Sequence, residues 1–495
     1  MTTSWSRMRR RDFLKGMTAA PFVAAAASGL PAPQGELVND VHTGLNPTWV
    51  SRIVRPTSVA EVQNLMKDCR KHGRFLSVSG SRHAAGGQQF AADAVLLDMR
   101  SMNRILGLDD KSGVLHVEAG IEWPELIQGY LDLQKENARW GIRQKQGGAD
   151  RMTIGGTLAA NAHGHSLGSG PVVGDVEWIE VVTAEGATKK CNRKQNHELF
   201  SLAIGGYGLF GVITAVGLRL VPRRKLRRRV ETRTTAELVE LIEKRTAAGA
   251  AFGYFQYSID ETSADFLRTG ILTTYEPVPP ETPMGTESTD IDARLLTALL
   301  ELAHKDRGAA YRRYAKLELA KDGNVEWSDL HQLAMYPAGY HKDIETRLGA
   351  DSEGADVIVE VYVPRGELIP FLEEARRLLL SNELPLIYGT IRFIEQDKDS
   401  FLPWAKKRYA CVIFTPHTSG EARAVHKTGE TCRQLMRAAT KKGGSFYLTY
   451  NRFATRDDLD AAYPQFAEFL SLKTKYDPME TLQSEWYRHY KTLHA

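Results

Sequence analysis

The chain has 495 residues, with Lys+Arg 64 against Asp+Glu 60 and a formal net charge of +4. Hydrophobic residues at 42% and charged residues at 25% exclude a disordered chain, a collagen-like chain and a multi-pass membrane protein. So small a charge makes no case for nucleic acid. Four dispersed cysteines, Cys69, Cys191, Cys411 and Cys432, exclude a disulfide-dense scaffold and the usual cysteine zinc sites, and leave open whether any of them pair.

In chain order, Arg9-Arg10-Arg11-Asp12-Phe13-Leu14-Lys15 precedes an apolar stretch over 16–29 with small residues at 25–27. The stretch is too short for a spanning helix, and residues 1–34 read as a secretory signal. The arginine pair followed by Asp-Phe-Leu-Lys resembles a twin-arginine signal. The expectation is a folded, cofactor-loaded protein handed transiently to export machinery and delivered to the periplasm or beyond, with no stable membrane span. An amphipathic anchor is the alternative.

A helix is predicted over 58–71, capped by Ser58, with Val62 and Leu65-Met66 on one face and Gly73 at its end. Strands follow at 75–78, 94–98 and 114–117, a helix at 123–130, and strands at 177–184 and 211–221. The basic run over 222–229 reads as a strand end or domain junction, with phosphate binding as the lesser alternative. Beyond it come a helix at 237–247, a strand at 252–259, a Pro- and Thr-rich loop at 277–289 and a helical stretch at 291–320. A buried strand at 357–363, a helix at 366–381 and strands at 387–393 and 411–414 complete the pattern. These strands do not alternate regularly with helices, which fits an α+β cap with a mostly antiparallel sheet better than a doubly wound domain.

Gly206-Tyr207-Gly208-Leu209-Phe210-Gly211 matches G-x-G-x-x-G, but a helix precedes it and a strand follows, the reverse of a dinucleotide fingerprint. The loop Ser79-Gly80-Ser81-Arg82-His83-Ala84-Ala85-Gly86-Gly87-Gln88 is different. It directly follows a strand, and its small residues let successive backbone N–H groups face an anion such as a pyrophosphate. A second small-residue segment holds Gly147-Gly148, Thr153-Ile154-Gly155-Gly156 and Asn161-Ala162-His163-Gly164-His165. His163 and His165 have no third ligand in the pattern, so no metal is expected.

These two loops, in this order and about seventy residues apart, resemble the FAD-binding domain of the vanillyl-alcohol oxidase superfamily, the PCMH type. The resemblance covers residues 48–222, with 206–221 as the domain's last segment. It implies two α+β subdomains over 46–222 with FAD extended between them, and a cap over 223–440. It also implies a C-terminal segment over 441–495 that returns to the FAD domain. The implied FAD contacts are Ser79, Gly80, Ser81, Arg82, His83, Ala84, Gly87, Gly148, Thr153, Ile154, Gly155, Gly156, Asn161, His163, Ile213 and Tyr447. The link to FAD would be covalent through His83, since covalent members carry their histidine there. Gly444-Ser445-Phe446-Tyr447-Leu448-Thr449-Tyr450, Ala462-Tyr463-Pro464-Gln465 and Lys475-Tyr476-Asp477-Pro478 are similar to the tail of decaprenylphosphoryl-ribose oxidases and of sugar-alcohol and aldonolactone oxidases. Two departures from the first group stand out: Tyr450 where it carries lysine, and His83 where it carries a non-covalent aromatic position. Residues 252–342 match neither group.

Oxidising an alcohol with flavin requires loss of a hydride from carbon and of a proton from oxygen, and stabilisation of charge on the reduced ring. Arg392 matches a cation that faces flavin and substrate in the related oxidases. Glu360, a carboxylate in an apolar strand, is costly unless paired, and is the candidate base or the partner of Arg392. Tyr450 is expected near the substrate. Gly147 is expected beside the reactive edge of the ring, where the missing Cβ would leave a path for molecular oxygen. The leading expectation is an oxidase of a sugar, polyol or lactone-like alcohol. The rivals are a dehydrogenase passing electrons to a quinone or carrier, and a non-catalytic flavin-fold or polyanion-binding protein.

Overall fold

Ser58 accepts a hydrogen bond from the Glu61 amide and opens α1 (Val59–Lys71), as the sequence predicts. The computed structural model describes residues 35–285, 292–334, 340–349 and 353–494. The segment read as a signal, and the end of the 277–289 loop, lie outside these residues. Val62, Met66 and Cys69 of α1 are buried with Leu76, Val95 and Leu97. Those last three belong to a parallel sheet of three strands in the order β3 (Arg52–Val54), β5 (Val95–Asp98), β4 (Leu76–Ser79). Ahead of it β1 (Glu36–Val38) and β2 (Thr48–Val50) pair antiparallel.

A five-stranded antiparallel sheet follows, in the order β10-β9-β11-β7-β6. Its members are β6 (Ile105–Asp109), β7 (Val114–Glu118), β9 (Val176–Val182), β10 (Thr188–Cys191) and β11 (Val212–Arg219). Between them run α2 (Trp123–Gln134), α3 (Ile154–Ala159) and α4 (His197–Ala203), and β8 (Trp140–Gly141) pairs with β12 (Val221–Pro222). Helix α4 lies before the G-x-G-x-x-G segment and strand β11 after it, so the reversed order read from the sequence is the order in the fold.

The second half is built on nine strands, antiparallel at every pairing. The path runs β16 (Val325–Trp327), β13 (Lys225–Thr234), β15 (Thr269–Val278), β14 (Phe252–Tyr257), β19 (Leu386–Ile394), β20 (Tyr409–Ser419), β18 (Val359–Pro364), β21 (Ser445–Phe446). Strand β17 (Gly354–Asp356) pairs with the far end of β20. The helices of this half are α5 (Thr235–Ala247), α6 (Ala293–Lys305), α7 (Arg307–Leu319), α8 (Tyr340–Leu348), α9 (Leu368–Ser381) and α10 (Ala422–Lys441). Mixed helix and antiparallel sheet agree with the α+β expectation.

One reading changes. The helical stretch over 291–320 is two helices, because Asp306 ends α6 and its side chain caps the Ala309 amide at the start of α7. The basic run is a strand with alternating faces. Leu226, Arg228 and Val230 of β13 point inward, where the Arg228 guanidinium meets Glu318. Arg223 pairs with Asp329 at 2.8 Å and lies over the Trp327 ring. Arg223 and Arg228 are thus spent on internal pairing, while Arg224, Arg227 and Arg229 of the run are exposed. All four cysteines are buried and free. Among the described residues no helix is long and apolar enough to cross a membrane.

The chain then returns to its start through α11 (Arg456–Ala462), α12 (Phe466–Tyr476) and α13 (Glu485–His494). The Leu76 amide donates to Thr481 and the Gln483 amide donates to Leu76, so residues 481–483 add a short parallel bridge to the edge of β4.

Candidate active site

Strand β4 ends at Ser79, and the chain turns under Thr153, where a Cβ on Gly80 would collide with the threonine Oγ1. Arg82 adopts the left-handed region at φ 64°, and Ser81 Oγ donates to Glu122 at 2.6 Å. The amides of Gly80, Ser81, Arg82 and Ala84 donate to nothing among the described residues. Ser79 Oγ and Arg82 Nε are buried without a hydrogen-bond partner. Buried donors left unpaired are costly, and successive amides around a left-handed residue form an anion-binding concavity. This donor set fits the pyrophosphate of FAD.

His83 stands at the mouth of the loop. Its Nε2 lies 2.8 Å from the Arg151 carbonyl and its Nδ1 lies 3.3 Å from His42 Nε2. A carbonyl only accepts, so Nε2 carries the proton and Nδ1 keeps the lone pair. Burial holds the ring below its ordinary pKa, which keeps it neutral and nucleophilic.

The second small-residue segment is held in place by its own hydrogen bonds. Thr153 caps α3 by accepting from the Gly156 amide, and the amides of Ile154 and Gly155 donate to the carbonyls of Ile121 and Ala119. Asn161 donates to Asp397 and Ser400 and accepts from the Val173 amide, so its side chain is committed within the chain. Ile213 is buried in β11 opposite Val181. Gly148 sits at φ 88° with open space at its Cβ position, as a turn glycine does.

The chemistry-bearing groups converge on β18, β19 and β20. Register sets Tyr362, Cys411 and Arg392 side by side across the three strands, and Glu360 follows two residues from Tyr362 on the same face. The Glu360 carboxylate accepts from His163 Nε2 at 2.6 Å, from the Tyr362 hydroxyl, from Tyr450 at 3.1 Å and from Cys411 Sγ at 3.4 Å. Burial by itself would raise its pKa. The charge and hydrogen bond of His163, the Tyr362 hydroxyl and the charge of Arg392 outweigh that and hold it at about 2. Glu360 is therefore a fixed anion. Its hydrogen-bonded partners are His163, Tyr362, Tyr450 and Cys411, and Arg392 acts on it through charge, with no hydrogen bond between the two among the described residues.

Arg392 is half-buried and makes no hydrogen bond or ion pair among the described residues. Its guanidinium lies on Gly147: a Cβ there would stand 2.5 Å from one terminal nitrogen and 3.0 Å from Cζ. The space over Gly147 is thus filled by the Arg392 guanidinium. Beside it, Lys145 is fully buried, paired with Asp150 at 2.8 Å and bound to the carbonyls of Gln146 and Ala149. Sequence reasoning missed this pair, although two opposite charges five residues apart around Gly147-Gly148 mark a closed loop.

The C-terminal segment joins the two groups. Tyr447 donates from its amide to the Glu360 carbonyl and from its hydroxyl to Ala160. The Tyr450 carbonyl lies against Gly86 of the glycine loop while its hydroxyl reaches Glu360. His163 and His165 separate: His165 packs against Phe252, Tyr254 and His331. His163 instead gains the ligand-type neighbours that its own segment lacks, with Glu360 and Cys411 offering atoms within 4.8 Å.

Comparison with known proteins agrees with this geometry. Residues 50–192 match the family model described as an FAD binding domain. The chain is 33% identical over 169 residues to an uncharacterized oxidoreductase in the fasciation locus of Rhodococcoides fascians, covering 34% of this chain and 37% of that one. It is 27% identical over 260 residues to cytokinin dehydrogenase 9 of Oryza sativa subsp. japonica, covering 50% and 47%. It is 22% identical over 448 residues to an L-gulono-1,4-lactone dehydrogenase of Mycobacterium tuberculosis, covering 88% and 95%. The first two matches span less than half the length of those relatives.

Proposed function

From the premise that residues 50–192 match an FAD binding domain, we propose that this chain is an FAD-dependent oxidoreductase that oxidises a CH–OH group of a sugar, polyol or lactone-like substrate. Bound FAD supplies the hydride acceptor. The observation that carries the proposal is Arg392, a half-buried cation with no partner among the described residues, held over Gly147 and near the ionised Glu360. A free guanidinium in such a place orients a hydroxyl-rich or carbonyl-bearing substrate and offsets negative charge that develops beside it. Glu360 acts as the fixed counter-charge: it orients His163 and Tyr450 and keeps the Tyr450 hydroxyl pointing into the site. The relative matched along nearly its whole length is named for a lactone, which supports the same substrate class.

His83 is the residue for a covalent link to FAD, through Nδ1, because Nε2 is committed to the Arg151 carbonyl. Yellow colour that leaves entirely with the small molecules after acid denaturation would remove the link. Oxygen as the electron acceptor rested on an open path over Gly147. Arg392 fills that space, which favours the second reading, a dehydrogenase passing electrons to a quinone or carrier. Export by a twin-arginine route, and delivery to the periplasm or beyond, belong to the same proposal and are checked by cell fractionation.

The deciding experiment is anaerobic titration of the yellow protein with aldonolactones, aldoses, polyols and cytokinin-type amines. Loss of visible flavin absorbance with a hydroxyl compound, slowed by a factor of about 10²–10³ in Arg392→Met, is the expected result. Bleaching by amines alone would overturn the substrate class.

A further inference from the structure

Away from the flavin site, three ligand-type side chains meet, with a fourth, Glu345, beside them, where α6, α8, β17 and β20 come together. His304 closes α6, Glu345 lies on α8, Asp356 ends β17 and His417 lies on β20. His417 Nδ1 is 2.8 Å from Asp356 Oδ1, His417 Nε2 is 3.7 Å from Glu345 Oε1, and His304 Nε2 is 4.0 Å from Asp356 Oδ1. The ligand atoms of His304, Asp356 and His417 all lie within 4.8 Å of one another. The side chains of His304, Asp356 and Glu345 are 6%, 4% and 7% exposed, so water does little to screen the carboxylates.

We infer that this cluster binds one divalent transition-metal ion, with zinc the ion its donors suit. Ligand atoms about 2.0–2.1 Å from a tetrahedral ion lie roughly 3.3 Å apart, and the distances from Asp356 Oδ1 to His417 Nδ1, 2.8 Å, and to His304 Nε2, 4.0 Å, straddle that value. Two imidazoles with carboxylate oxygens are a borderline donor set, which suits zinc better than calcium or magnesium. Asp356 supplies one negative charge at the ion, and Glu345, against the far ring nitrogen of His417, supplies a second close by. The cluster also has the outer contacts that orient metal ligands: Tyr340 donates its hydroxyl to Asp356, and the Gly354 amide donates to Glu345 Oε1 at 2.6 Å. A Cβ on Gly354 would collide with Glu345 Oε1 and stand 2.7 Å from His417 Cε1, so the glycine leaves room for the cluster. Glu345 Oε2 is buried with no hydrogen-bond partner among the described residues.

The site is separate from the flavin chemistry. His417 lies six residues beyond Cys411 on β20, about 20 Å along the strand. Its role is a clip that ties the end of α6 to β17 and the far end of β20.

The test uses untagged, flavin-loaded protein, stripped with EDTA, equilibrated with zinc chloride and passed through a desalting column. The expected result is one zinc per chain by elemental analysis, and none in His417→Gln or Asp356→Asn variants that keep their flavin colour. X-ray absorption at the zinc edge of the wild type does not depend on the variants folding, and should show nitrogen and oxygen neighbours with imidazole scattering. No stoichiometric zinc in the wild type would overturn the inference. A sulfur neighbour would also overturn it, by placing the ion at His163, Glu360 and Cys411.

Discussion

One methyl group at residue 147 decides where Arg392 can lie. The sequence invites a reading of Gly147 as an oxygen gate, because a glycine beside a flavin edge leaves space. The structure gives that space to a guanidinium, so Gly147→Ala should act on substrate oxidation rather than on reoxidation. A Cβ 2.5 Å from the terminal nitrogen must push the arginine aside. A displacement near 1 Å in a catalytic group costs about 10²-fold in rate, so anaerobic flavin reduction should slow by about that factor. The effect should vanish in an Arg392→Met background, where there is no guanidinium to displace. Unchanged reduction with altered reoxidation in aerated buffer would restore the gate. Arg392 was legible as a candidate from its strand and its resemblance. Its freedom from partners was not, since ion pairing is decided by residues from other elements.

At the scale of elements, the strands and helices of the FAD-binding half follow the apolar periodicity closely, and the cap of α1 was readable from Ser58 alone. The break between α6 and α7 was hidden because Asp306 has to end one helix and cap the next. The junction between the glycine loop and the C-terminal segment was legible only through resemblance. In the fold it rests on Gln88, whose side chain accepts from the Gly86 amide at 2.9 Å and donates to the Leu448 carbonyl at 2.7 Å, both buried. Replacing Gln88 with alanine leaves those groups unpaired, at a cost of about 1–3 kcal/mol each. Gln88→Ala should lower the melting temperature and the share of chains loaded with FAD, measured as flavin per chain in the purified protein. Full flavin content with an unchanged melting temperature would show that the segment is held elsewhere.

At the scale of the whole molecule, Glu360 couples the two halves to pH. Its carboxyl is held at about 2 in the fold against an ordinary value of 4.5. A depressed acid stabilises the folded chain at pH above 4.5, and that stabilisation is lost as pH falls from 4.5 towards 2. Removing the charge from a buried pair costs roughly 3–5 kcal/mol, so Glu360→Gln should lower the urea midpoint at pH 7. Its midpoint should then fall less steeply than the wild type's between pH 4.5 and 2.5; equal slopes would remove Glu360 as the source. Local pattern was enough for what depends on neighbours in the chain: the α+β class, the glycine loop after a strand, the reversed order around residues 206–211 and a carboxylate stranded in an apolar strand. Tertiary structure alone decided what depends on distant segments. His163, Cys411 and Tyr450 come from three separate segments to surround Glu360, because a buried charge is stable only where opposite charge and donors converge on it from every side.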